Sequence, residues 1–191
     1  VLERGEVAVW RFPAGASRPI EGVLARYVGV PSEEVVVRRT PAGKPEPEQT
    51  RFSVSLAHGG EVALVAVALD AQVGIDVEPF RKGIESWSLV SHALTPDEQA
   101  RLTALPAAER GEAFLSAWTR KEALLKAVGV GLGVDPRLIE LDGCTVVDVP
   151  PELGGTGDWT LLDVPVPGHV SALALRAPLS RLLLYDPPEW P

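Results

Sequence analysis

Cysteine is nearly absent from this chain of 191 residues: Cys144 stands alone. That excludes an internal disulfide and a Cys-based zinc cage, and a reducing, cytoplasmic setting is the simplest fit. Long apolar runs are missing too. The longest uncharged one, Val62 to Leu69, has eight residues, far short of the roughly 20 that cross a bilayer. No charged-then-apolar leader opens the sequence, so no secretory signal is expected. Positive charge is in deficit, with 18 Lys+Arg against 26 Asp+Glu and a net charge of −8. General binding to nucleic acid or to anionic membranes rewards a basic face and is not expected here. A phosphorylated ligand therefore needs a local basic pocket. What is present is the balance of a folded protein: 46% hydrophobic and 23% charged residues exclude wholesale disorder. Gly and Pro, 18 of each, imply many tight connections. The length suits one ordinary domain or two small lobes sharing a core.

Residues 6–12 alternate as an opening strand, residues 18–29 read as a short helix carrying Arg18 and Arg26, and Glu34–Arg39 is strand-like. Thr40 to Gln49 is rich in Pro and Gly and reads as loop. A meander follows. Phe52, Val54 and Leu56 alternate with Ser53 and Ser55; Val62–Leu69 is continuously apolar; Val73, Ile75 and Val77 alternate with Gly74, Asp76 and Glu78. His58-Gly59-Gly60 and Asp70-Ala71-Gln72 supply its turns. Thr95-Pro96-Asp97-Glu98 opens a helix with an N-cap, a first-turn proline and a capping-box acid. A longer helix is predicted from about Ala107 to Val128, stopped by Gly129 and Gly131, with Phe114, Trp118, Leu125 and Val128 on an apolar side. Strands are expected at 137–141, 145–149, 159–164, 170–176 and 182–185. At an offset of 108, Gly60-Glu61-Val62 falls on Gly168-His169-Val170, and Asp76/Glu78 on Leu184/Asp186. This echo reads either as two similar lobes or as chance likeness between two buried hairpins.

Three segments carry candidate chemistry. On a strand, Asp76 and Glu78 project to one face, about 7 Å apart at roughly 3.3 Å per residue. Such a pair suits Mg²⁺, or it is the solvated face of an edge strand. On a helix, Glu122 and Lys126 are neighbours and alone read as an ordinary surface ion pair, but Lys121 adjoins them and the flanking Trp118, Leu124, Leu125 and Val128 point to a buried helix. Arg38, Arg39 and Lys44 surround a glycine turn, a phosphate seat or simply a basic loop. His58 closes the nearby strand in a Gly-flanked turn, where it can donate a charged hydrogen bond to phosphate.

Taken in order, Gly43-Lys44-Pro45, a strand ending in His58, Gly74-Ile75-Asp76-Val77-Glu78 and Trp118-Thr119-Arg120-Lys121-Glu122-Ala123-Leu124-Leu125-Lys126 resemble one family. It is the 4′-phosphopantetheinyl transferases of the surfactin-synthetase-activating type, and the resemblance covers about residues 35–142. It implies an α+β fold of two similar lobes with pseudo-twofold symmetry, here 1–90 and 91–191, with a ligand cleft between them. It implies transfer of the phosphopantetheine arm of coenzyme A to a serine hydroxyl of an apo acyl, peptidyl or aryl carrier protein, releasing adenosine 3′,5′-bisphosphate. By matched position, Asp76, Glu78 and Glu122 are the expected Mg²⁺ ligands. Glu122 is the expected base and Lys126 the diphosphate contact. Lys44 and His58 are further phosphate contacts, and Arg39–Lys44 lines the nucleotide end. A cytoplasmic monomer is expected, with no nucleic acid or membrane partner. Carrier docking is expected beside the site on Phe80, Arg81 and Lys82, with Arg120 as a second charge.

Two departures stand out. Ala57 occupies the family's serine position before the histidine, which removes one expected phosphate hydrogen bond. The Gly-Lys-Pro turn also comes early, so Arg18 and Arg26 are the basic residues available to hold the 3′-phosphate. The rival reading is a non-catalytic module binding coenzyme A or a carrier protein; an unrelated Mg²⁺ phosphohydrolase lacks an assigned nucleophile.

Overall fold

A computed structural model describes residues 2–80 and 87–186. The first half runs β1 (Glu6–Pro13), α1 (Pro19–Val28), β2 (Val37–Arg39), β3 (Pro45–Pro47), β4 (Phe52–Gly59), β5 (Val62–Leu69) and β6 (Val73–Pro79). Then come α2 (Trp87–Ala93), α3 (Pro96–Ala104), α4 (Ala107–Val128), β7 (Glu140–Asp142), β8 (Thr145–Asp148), β9 (Thr160–Asp163), β10 (His169–Leu175) and β11 (Arg181–Tyr185). The main sheets are four-stranded, in the order β11-β1-β5-β4, and three-stranded, in the order β6-β10-β9. They pack face to face and are sandwiched between helices. Val7, Val9, Leu64 and Ala66 of one sheet meet Ile75, Val77, Leu173 and Leu175 of the other. Ile20, Val23 and Leu24 of α1 cover the outer face of the first sheet. Ala123, Leu124 and Ala127 of α4 cover the second, against Ala172 and Ala174. β5 is continuously apolar because both its faces are covered: Val65 and Val67 point one way, Leu64 and Ala66 the other.

The expected meander is corrected. β4 and β5 form a hairpin, but β6 pairs antiparallel with β10 in the other sheet. The reason is written in the serines. Ser53 and Ser55 point at the free edge of β6, where their Oγ atoms accept from Val73 N at 3.4 Å and Ile75 N at 3.1 Å. Side chains stand in for a main-chain ladder, which keeps the edge amides satisfied. β11 makes the complementary move: it follows β10 but pairs parallel with β1 in the first sheet. The echo at offset 108 thus matches β5 to β10 and β6 to β11, the second strand leaving its sheet in both cases. The match is partial, since β6 lies directly against β10 whereas β1 separates β5 from β11.

Smaller corrections concern local chemistry. The strand expected from Glu34 shortens to β2, and the supposed loop after it contains β3, paired with β2. Prolines at both ends of β3 are tolerated because β2 and β3 form a ribbon of only two strands, which leaves β3 without a second ladder to donate to. His58 and Gly59 belong to β4, leaving Gly60 and Glu61 as the turn. Pro136–Leu138 forms a 3₁₀ turn, capped by Asp135 accepting from Arg137 N at 2.9 Å, so the next strand starts only at Glu140. The α3 capping box forms as expected: Thr95 Oγ1 accepts from Glu98 N at 3.2 Å, and Glu98 Oε2 from Thr95 N at 2.8 Å.

Candidate functional site

The site is built where α4 lies on β6. Val73, Ile75 and Val77 point into the inter-sheet core, so the alternate residues Gly74, Asp76 and Glu78 face the helix. Gly74 sets the separation. A Cβ there would lie 1.9 Å from Ala123 O and 2.4 Å from Ala127 N, so helix and strand touch backbone to backbone. That close approach carries Glu122 of the helix to Asp76 of the strand, and both are buried, 7% and 6% exposed. Lys126 stands one turn further along α4, its Nζ donating to Asp76 Oδ1 at 2.7 Å.

Two oxygens are conspicuous. Asp76 Oδ2 and Glu122 Oε1 are buried without a hydrogen-bond partner among the described residues. Orphaned buried carboxylate oxygens are costly, and a carboxylate so placed resists ionisation. Burial pushes the Glu122 carboxyl up to about 7, reinforced by the charges of Asp76 and Glu78 and opposed by Lys126. Burial likewise raises Asp76, with Lys126 holding it back. Hard oxygen donors of this kind suit Mg²⁺, whose charge would satisfy both. Glu78, half-buried two residues along the strand, flanks the pair. Among the described residues, no three His, Cys, Asp or Glu side chains converge as a ready-made metal cage. Asp76 and Glu122 form the buried part of a donor set, with Glu78 at its edge.

These carboxylates open onto a cavity of about 600 Å³ that Arg39, Lys44, His58, Glu78 and Lys126 also line. Sequence-predicted residues from β2, β4, β6 and α4 therefore share one chamber. Lys44 is engaged already. Its ammonium donates to the carbonyl of Ala127 in the last turn of α4, and its stem crosses Gly129. Burial lowers its pKa, against the charge of Glu46. Arg39 Nη1 donates to Gly43 O at 2.9 Å, shaping the glycine turn. His58 is exposed at the chamber wall.

Other expectations shift. Ala57 is buried in the inter-sheet core and does not line the chamber. Arg18 pairs with Glu21 at 3.3 Å and Arg26 lies 5.0 Å over the Trp10 ring; neither lines the chamber. Arg120 is held by Asp163 through two bonds of 2.8 and 2.6 Å, so its charge is neutralised. Phe80 is 42% exposed, whereas Arg81 and Lys82 lie outside the described residues. Sequence reasoning missed a second, apolar pocket of about 400 Å³ against the same carboxylates, lined by Leu89, Ala93, Phe114, Leu115 and Trp118 and bordered by Glu78 and Glu122. Its far wall is α2, a helix too short to give a readable period.

Residues 72–159, which include both carboxylate motifs, match the 4′-phosphopantetheinyl transferase superfamily. The chain is 32% identical over 170 residues to the 4′-phosphopantetheinyl transferase HetI of Nostoc sp. (strain PCC 7120 / SAG 25.82 / UTEX 2576), covering 86% of this chain and 70% of that protein. It is 29% identical over 151 residues to a phosphopantetheinyl transferase of Thraustochytrium sp. (strain ATCC 26185 / S-3), covering 69% of this chain and 52% of the relative. It is 30% identical over 132 residues to the L-aminoadipate-semialdehyde dehydrogenase-phosphopantetheinyl transferase of Xenopus laevis, covering 63% and 44%. The chain thus spans about half the length of the latter two. With the paired carboxylates and their lysine inside the matched region, the chain belongs to the 4′-phosphopantetheinyl transferase superfamily and is a transferase.

Proposed function

We propose that this protein transfers the 4′-phosphopantetheine arm of coenzyme A to a serine hydroxyl of an apo carrier protein, in the manner of the surfactin-synthetase-activating type, with Mg²⁺ held by Asp76, Glu78 and Glu122. The observation that carries this reading is the pair of unpartnered buried oxygens, Asp76 Oδ2 and Glu122 Oε1, at the wall of a basic-rimmed chamber. The proposed enzyme is a cytoplasmic monomer of two similar lobes, 1–90 and 91–191, the chamber being the cleft for coenzyme A. Net charge argues against nucleic acid and anionic membranes as partners, and no described helix is long and apolar enough to cross a membrane.

The reaction displaces one phosphate from another. The serine oxygen bonds to the phosphorus that carries the pantetheine arm, the P–O bond to the adjoining phosphate breaks, and adenosine 3′,5′-bisphosphate leaves. Such chemistry requires positioning and charge neutralisation rather than a covalent intermediate. When bound, Mg²⁺ supplies positive charge against the diphosphate oxygens. Glu122 accepts the serine proton, as a carboxylate beside the incoming hydroxyl can. Lys126, one helical turn away, sets its ammonium against the leaving phosphate, Lys44 and His58 contact further phosphates, and Arg39 lines the nucleotide end. Phe80 offers an apolar foothold for the carrier beside the chamber.

The test is direct. Incubation with coenzyme A, Mg²⁺ and an apo carrier protein should add the mass of the phosphopantetheine arm to the carrier. Binding of coenzyme A with no change in carrier mass would leave only a binding module. In the same assay, Asp76→Ala should abolish transfer. Its metal-free form should melt no lower than wild type, because the substitution removes a buried carboxylate and Lys126, 30% exposed in its side chain, can turn to water. Wild-type turnover at limiting Mg²⁺ would refute the metal assignment.

A further inference from the structure

Lys121 sits inside the recognised helix motif, yet the proposed reaction gives it no part. Its side chain is fully buried, at 0% exposure. Its three donors meet three acceptors: Glu98 Oε2 at 2.5 Å, Ala93 O at 3.0 Å and Pro136 O at 3.1 Å. Glu98 is itself saturated, since Oε2 also takes the capping-box bond from Thr95 N and Oε1 accepts from Leu141 N at 2.9 Å. One ion pair therefore ties α4 to the end of α2, the start of α3, the Pro136 turn and β7. We propose that Lys121 is a positioning residue, fixing the rotation of α4 at which Glu122 meets Asp76.

Adjacent residues on a helix point about 100° apart, so Lys121 faces α3 while Glu122 faces β6. The contact at Gly74 fixes how near α4 comes, but a glycine offers no side chain to stop the helix turning about its axis. Lys121 supplies that stop. Well-packed apolar residues often serve stability as well as a buried ion pair does. What they lack is three directed bonds to three separate segments.

This inference rests on the reading of Asp76 and Glu122 as the Mg²⁺ site, and its test separates the two. Lys121→Met alone strands the Glu98 charge in the core and should destabilise the fold. Lys121→Met with Glu98→Gln removes both charges and keeps a capping side chain at that position. The double variant should fold and still bind coenzyme A in the absence of Mg²⁺, because Arg39 and His58 stand off α4, with a loss of only a few-fold from Lys126 and Lys44, which lie on or against it. Calorimetric titration with Mg²⁺ in the presence of coenzyme A should then show affinity weaker by roughly 10–100-fold, the usual loss when a ligand's supporting group is removed. Turnover should fall by more than the KM for coenzyme A rises. Wild-type Mg²⁺ affinity and turnover in the double variant would overturn the proposal. So would failure of the double variant to fold, or a loss of Mg²⁺-free coenzyme A binding as large as the loss of Mg²⁺ affinity, either of which makes the ammonium a general stability element. If the wild type bound Mg²⁺ but modified no carrier, the functional reading would fall while the titration still judged Lys121.

Discussion

Glu122→Gln is expected to slow transfer by roughly 10²–10³-fold, the usual cost of removing one group that acts in the transition state. Gln preserves the size of the side chain but removes the proton acceptor and one charge facing Mg²⁺. The pH dependence identifies the cause. With the Glu122 carboxyl held up to about 7 by burial and by Asp76, wild-type turnover without saturating metal should rise as pH passes through about 7. The variant should lack that limb. Stability moves in the opposite sense. A carboxyl whose pKa is higher folded than unfolded stabilises the fold below its unfolded value and loses that contribution as pH rises through its folded value. Metal-free wild type should therefore lose thermal stability between about pH 4.5 and 7, and Glu122→Gln should lose less. Equal turnover of the two proteins across this range would return Glu122 to a structural role.

Among the described glycines, Gly74→Ala should be the most damaging added methyl group. The new carbon would lie 1.9 Å from Ala123 O and 2.4 Å from Ala127 N, and neither is a side chain that can swing aside. Overpacking of this kind costs about 3 kcal/mol at the upper end of its usual range. For a chain of this size that lowers the melting temperature by about 6–12 °C. Whatever protein survives must have moved α4 outward from β6, taking Glu122 and Lys126 with it. A misplacement of about 1 Å can cost roughly 10²-fold in rate. Melting and turnover measured together test this, and a variant with wild-type values of both would show that helix and strand are not in backbone contact.

The order of elements was readable where local chemistry dictates it. Thr95, Pro96 and Glu98 announce a helix start, and the period of Phe114, Leu125 and their neighbours marks α4. The partner of each strand was not. Nothing local in Val73–Glu78 distinguishes a third meander strand from one that crosses to β10; the choice lies in Ser53 and Ser55, whose alternation reads as ordinary polar spacing until β6 is seen against them. At the site, Asp76, Glu122 and Lys126 were legible by motif, but their burial and the orphaned oxygens were not, because both depend on the approach at Gly74. Lys121 read only as a neighbour of the Glu122–Lys126 pair, and Arg120 as a docking charge. Each is committed to a distant residue, Glu98 or Asp163, whose proximity no spacing rule conveys.

The crossing of β6 and β11 bears on how the chain matures as it is made. Residues up to about 80 can form the β4–β5 hairpin and lay β1 beside it, but one edge of β1 stays bare until Arg181–Tyr185 is synthesised. β6 in turn waits for His169–Leu175 before its other edge finds a strand to pair with. Early in synthesis both Val73–Pro79 and β1 therefore expose unpaired amides and carbonyls, a template for unwanted pairing with other chains. The last strand acts as a clasp, and a ribosome that stalls before releasing it leaves the first sheet open-edged.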